Sequence, residues 1–176
     1  MDILIKKDLA ETLIAIRRFS EIYLLRLEKT IMWLNIILAE LGKIGITPDV
    51  KSILGFDPWY ILRRERGRLN RFNKSYEDVK NGKKKRPIFC LGQIRNSAYI
   101  KSQEIESYVS QINYIDYGLK DLYGEDVMEG ILKIADYEVE HSDESDDEDT
   151  DLGSDSHSEY DYDSGGCYII SKAPGW

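Results

Sequence analysis

The chain has 176 residues, 42% hydrophobic and 32% charged, enough apolar material for one modest core with extensions. Its two cysteines, Cys90 and Cys167, stand alone with no CxxC spacing or Cys/His cluster, which argues against a disulfide framework or a structural zinc site and for a reducing compartment. The formal net charge of −8 conceals a division: residues 136–163 hold 14 Asp and Glu with no Lys or Arg, whereas residues 1–135 hold 23 Lys and Arg against 18 Asp and Glu.

Apolar positions Leu9, Leu13, Ile16, Phe19, Tyr23, Leu27, Ile31, Leu34, Ile37, Leu38 and Leu41 recur every three or four residues, which predicts a helix over residues 8–42. Asp8 followed by Glu11 has capping-box spacing at its start, and Gly42 is a natural stop. A straight helix of that length would run about 50 Å, so a break near Ser20 or pairing with another chain is expected. Its second half, Ile31 to Leu41, is apolar nearly all round and requires burial on most sides. That stretch is too short to span a bilayer and contains Asn35 and Glu40. The N-terminus lacks the pattern of a secretory signal, so an intracellular protein without membrane attachment is expected.

Thr47-Pro48 and Asp57-Pro58 each read as an N-cap followed by proline in the first helical turn. The first should open a short helix ending at Gly55, the second a helix from Trp59 to Phe72. Ser75 with Asp78 suggests a further capped turn, and Pro87 to Leu91 a short strand or extended segment. Asn96-Ser97 should cap a helix from Ala98 to about Ile115, and residues 125–135 read as the last helix. The expected fold is mainly α: a small helical domain led by a long N-terminal helix, with a disordered acidic C-terminal tail. The boundaries are a net-basic body over 1–136, an acidic tail over 137–165 and an apolar peptide over 166–176.

Catalytic patterns are sparse. His141 and His157 both fall inside the acidic tail, where no rigid shell would hold a general base. No P-loop, dinucleotide fingerprint, HExxH or GxSxG occurs, so no enzyme activity, small-molecule substrate or cofactor is expected. The acidic run from Asp147 has Gly153 at its seventh position and Ser158 at its twelfth, which does not meet the order of a calcium loop, and no metal site is expected.

The densest positive signal lies between residues 63 and 86, where Arg63, Arg64, Arg66, Arg68, Arg71, Lys74, Lys80, Lys83, Lys84, Lys85 and Arg86 face only three carboxylates. Such a segment suits the phosphate backbone of DNA or RNA, with Tyr60, Asn70, Phe72 and Tyr76 placed among the cations. The bland alternative is a solvated helix face. Lys83 to Pro87 also has the form of a nuclear import signal in a eukaryotic setting. The acidic tail could occupy the basic segment, bind a basic partner, or confer solubility alone. Ser145, Ser156 and Ser158 each have an acidic residue three positions on, the spacing of acidophilic phosphorylation sites. This layout is similar in charge alone to that of some single-strand-binding and chromatin-associated proteins.

Two readings follow. The first is a non-enzymatic nucleic-acid-associated regulator whose basic segment binds phosphate and whose acidic tail competes with it. The alternative is a protein-interaction adaptor or assembly subunit, of the kind found among viral accessory proteins. It would bind a protein partner or self-associate through Ile31, Trp33, Leu34 and Ile37 of the long helix and through Tyr168, Ile169, Ile170 and Trp176 at the C-terminus.

Overall fold

The computed structural model describes residues 3–142, and every regular element among them is helical. Helix α1 spans Ile3–Arg18 and α2 spans Leu25–Lys43, joined without interruption by a π-helical turn over Phe19–Leu24. The turn answers a phase problem in the sequence. Leu9, Thr12, Ile16 and Phe19 form the buried stripe of α1, and Leu24, Leu27, Ile31, Leu34, Ile37 and Leu41 that of α2. Within each stripe the steps are three or four residues, but Phe19 to Leu24 is five. The wider turn absorbs the extra residue and keeps both stripes facing the core. Tyr23, expected on the stripe, is only partly buried.

The long helix ends at Lys43 rather than Gly42. The Gly45 amide donates to the Gly42 carbonyl at 3.0 Å and the Ile46 amide to the Leu41 carbonyl at 2.9 Å, a Schellman closure with Gly45 at φ +79°. Asp8 is not a cap either. It lies inside α1, where its carboxylate accepts from Arg95 at 2.7 Å.

Helix α3 (Val50–Leu54) is capped by Asp49, not Thr47, with the Ser52 amide donating to the Asp49 carboxylate at 3.2 Å. It closes at Gly55 in the left-handed region, as expected. Helix α4 (Pro58–Lys80) begins at the expected signal: Pro58 opens the first turn and the Tyr60 amide donates to Asp57 at 3.1 Å. It then runs past Phe72 through Ser75 and Asp78, because Phe72, Tyr76 and Val79 continue its apolar stripe. Helix α5 (Pro87–Asn113) starts at Pro87, so the expected strand at Pro87–Leu91 is its first turns and Asn96-Ser97 lies in mid-helix. Helices α6 (Ile115–Tyr123) and α7 (Glu125–Glu140) complete the described unit. Helix α7 continues beyond residue 136, carrying Tyr137–Glu140 as helix rather than tail.

Cross-helix pairs give the directions. Asp8–Arg95 and Arg26–Glu106 run in the same order, so α5 lies parallel to the α1–α2 rod. Glu28–Arg66 and Asn35–Trp59 run in opposite order, so α4 is antiparallel to α2. Phe19 and Phe72 meet edge to face at 5.4 Å, an arrangement that adds about 0.5–1.5 kcal/mol to the burial of the two rings. Helix α7 packs on α2 through Met128, Ile131 and Ala135, and the Trp33 indole donates to Asp136 at 2.8 Å.

The apolar half of α2 is therefore enclosed by its own chain. Ile31 is 2% exposed, Leu34 and Ile37 are fully buried, and Trp33 is half-buried. Three of the four residues expected to form a partner surface on this helix are core residues. No described helix is long and apolar enough to cross a membrane, and no cluster of His, Cys, Asp or Glu suited to a metal ion occurs among the described residues. The expected tail disorder, the phosphorylation candidates Ser145, Ser156 and Ser158, and Tyr168, Ile169, Ile170 and Trp176 lie outside the described residues.

Candidate nucleic-acid interface

The basic segment folds as the outer face and C-terminal end of α4, the loop after it and the start of α5. At 100° per residue, Tyr60, Arg63, Gly67, Arg71 and Lys74 succeed one another at three- and four-residue steps along one line of α4. All but Gly67 are exposed, and Asn70 lies exposed beside them. From Tyr60 to Lys74 this line climbs about 21 Å. Its next member, Asp78, turns the ridge into the loop: the Lys83 amide donates to the Asp78 carbonyl at 2.8 Å and the Lys83 ammonium stands 3.8 Å from its carboxylate. Gly82, at φ +71°, makes that reversal. Lys83, Lys84, Lys85 and Arg86 follow, all exposed, before Pro87 starts α5.

The structure separates the cations into two groups. Arg63, Arg71, Lys74, Lys84, Lys85 and Arg86 are exposed and have no ion-pair partner among the described residues. Arg64 and Arg68 instead turn toward Glu65, which occupies a core position on the buried stripe of α4. The Arg64 Nε donates to Glu65 at 2.7 Å. The Arg68 Nε stands 3.0 Å from the other carboxylate oxygen, close enough for ion pairing although not aligned as a hydrogen bond. The Arg64 guanidinium also lies 5.8 Å over the Tyr108 ring of α5. Burial works against its charge, but Glu65 and Tyr108 outweigh that and hold its pKa above the ordinary guanidinium value. Arg66 reaches across to Glu28 of α2 at 2.8 Å.

Half of the arginines in the expected phosphate-binding set are thus engaged within the fold: Arg64 and Arg68 with Glu65 of the same helix, Arg64 also with Tyr108 of α5, and Arg66 with Glu28 of α2. The signal for this was present: Glu65 stands between Ile61 and Leu69 at four-residue steps, where an apolar residue would be expected. Phe72 and Tyr76, expected among the cations, turn inward; Phe72 is 7% exposed and Tyr76 packs against the core. The exposed aromatics next to the cations are Tyr60 and Phe89, the latter in the first turn of α5.

Helix α7 carries the opposite sign. Glu125, Asp126, Glu129, Asp136, Glu138 and Glu140 face only Lys133 along it, and Lys133 holds the Glu129 carboxyl below its ordinary value through a 2.8 Å hydrogen bond. The last described residue, Ser142, lines a groove with Leu25, Glu28, Trp59 and Arg66, between α2 and the flank of α4. Comparison with known proteins found no matching family model, no matching curated protein and no matching solved structure.

Proposed function

We propose that the chain is a non-enzymatic nucleic-acid-associated regulator that binds phosphate backbone on the α4 ridge and the loop that follows it. The supporting observation is the single exposed line of Arg63, Arg71 and Lys74 leading into Lys83–Arg86, with carboxylates nearby already engaged by Arg66, Lys80 and Lys83. If the six exposed cations without an ion-pair partner among the described residues each neutralise one phosphate, the logarithm of affinity falls against the logarithm of salt with a slope of about −5 on duplex DNA and about −4 on a single strand. The acidic residues after Ser142 act as an intramolecular competitor, carried by the same chain as the ridge. The substitution of Arg63, Arg71 and Lys74 together by Ala tests the reading: it removes half of that slope and leaves the fold intact, because all three side chains are exposed. An unchanged slope would remove the ridge from the argument.

A protein-docking reading also has a specific observation behind it. Ile22 and Leu25 are 53% and 45% exposed on one groove with Trp33 and Val139. An adaptor would use this rim of α2 rather than Ile31, Leu34 and Ile37. It predicts no salt-sensitive binding to DNA or RNA and a loss of partner when Leu25 becomes charged.

A further inference from the structure

Two exposed aromatic rings, Tyr60 and Phe89, flank the cationic run in sequence. Tyr60 is 55% exposed and Phe89 is 63% exposed; of the exposed large apolar side chains among the described residues, these are the two aromatic ones so placed. Tyr60 heads the same line of α4 that carries Arg63, Arg71 and Lys74. Phe89 follows Arg86 by three residues, in the first turn of α5, at the far end of the basic loop. Aromatic rings therefore stand at both ends of the cationic run, with no aromatic partner among the described ring pairs. Phe89 has no polar atom, so its exposure gains nothing from hydrogen bonding to water. Beside four consecutive cations it has a use if a flat apolar surface arrives on a polyanion.

A duplex does not offer that surface, because its base faces are stacked against each other and only edges and phosphates face outward. A single strand offers both phosphates and free base faces, and every base has a π-face. We propose that the ridge takes single-stranded nucleic acid, with bases stacked on Tyr60 and Phe89 and the intervening phosphates on Arg63, Arg71, Lys74, Lys84, Lys85 and Arg86. This rests on the phosphate-binding reading above and adds the class of strand. The stacking is sequence-tolerant, so the site discriminates strandedness rather than sequence.

The test is fluorescence anisotropy with the full chain, titrated against a labelled oligothymidylate, a DNA duplex of matched length and polyglutamate at one low salt concentration. The single strand should bind at least about tenfold more tightly than the duplex. Tyr60→Ala and Phe89→Ala should each weaken single-strand binding about tenfold and leave duplex binding unchanged. Phe89→Trp should restore or tighten it, a result that loss of fold could not produce. Duplex binding equal to or tighter than single-strand binding overturns the proposal, as do alanine variants that bind the single strand like the parent. In that case, weakening of duplex binding by Arg63→Ala would leave the phosphate-binding reading standing. Tight polyglutamate binding without oligonucleotide binding overturns both and points to an acidic protein partner. Absence of binding to all three probes likewise overturns both.

Discussion

Glu65→Gln isolates the one fully buried carboxylate among the described residues that sits between two arginines. The parent places Glu65 at 0% exposure with Arg64 Nε at 2.7 Å and Arg68 Nε at 3.0 Å. Gln keeps the volume and one acceptor oxygen but leaves both guanidinium groups without a counter-charge. Removing one member of a fully buried pair costs about 3–5 kcal/mol. The Arg64 and Arg68 side chains retain 29% and 19% of their exposure, so solvent screens part of the loss. The expected cost is therefore about 2–3 kcal/mol, which lowers the midpoint of thermal unfolding by roughly 8 °C in a chain of this size. Urea denaturation followed by far-UV circular dichroism measures it, with the slope compared between variants to verify that the unfolding reaction is the same. A Glu65→Gln chain within about 0.5 kcal/mol of the parent would refute the clamp, and with it the division of the arginines into structural and ligand-facing groups.

Gly67→Ala should stabilise the chain by up to about 1 kcal/mol, because the new methyl group meets only the end of Arg71 at 3.9 Å in mid-helix; chemical denaturation reads the gain, and a loss would mean that α4 is less regular there. Leu34→Ala should cost about 2–5 kcal/mol in the isolated chain, since Leu34 is fully buried by the chain's own helices; a neutral result would return this face to a partner. The Asp57 carboxyl is held below its ordinary value of 3.8, chiefly by its hydrogen bond to Lys51 and then by the Tyr60 amide. A depressed folded-state pKa gives a stabilisation that is complete above the unfolded value and lost as pH falls through the folded one. Asp57→Asn should therefore flatten the fall in stability below about pH 4, an outcome that acid titration of the two chains compares directly.

Much of the fold was legible because local and tertiary demands agreed. Asp57-Pro58 marked the start of α4 and Gly55 the end of α3, since one supplies a side-chain acceptor to a free amide and the other a left-handed turn. Local signals misled where core contacts overrode them. Ser75 and Asp78 have cap chemistry, but Tyr76 and Val79 between and beyond them pack inward and carry the helix through. Pro87 to Leu91 read as a short strand or extended segment, whereas a helix tolerates proline in its first turn. The apolar stripe of the N-terminal helix was readable, but its five-residue step from Phe19 to Leu24 implied a π turn only once both rings of contacts were known.

The site followed the same pattern. That residues 63–86 are cationic is a matter of counting, and six of the eleven cations are exposed with no ion-pair partner among the described residues. Which arginines are free depends on phase around α4 and on Glu65. That carboxylate draws Arg64 and Arg68 toward the core while Arg63 and Arg71 stay outside. Tyr60 was visible among the cations from the start. Phe89 fell in what read as a short strand or extended segment, and the structure places it exposed in the first turn of α5.

The central claim is that a phosphate-binding ridge and an acidic competitor share one chain. Residues 1–142, which include the whole described helical unit, and the full chain should be titrated with the same labelled single strand across a salt series. The account predicts a steep salt slope for the shorter chain, on the order of −4, and weaker binding by the full chain at every salt concentration. Equal affinity with and without residues 143–176 would contradict the competition, and absence of binding by either at low salt would contradict the ridge itself.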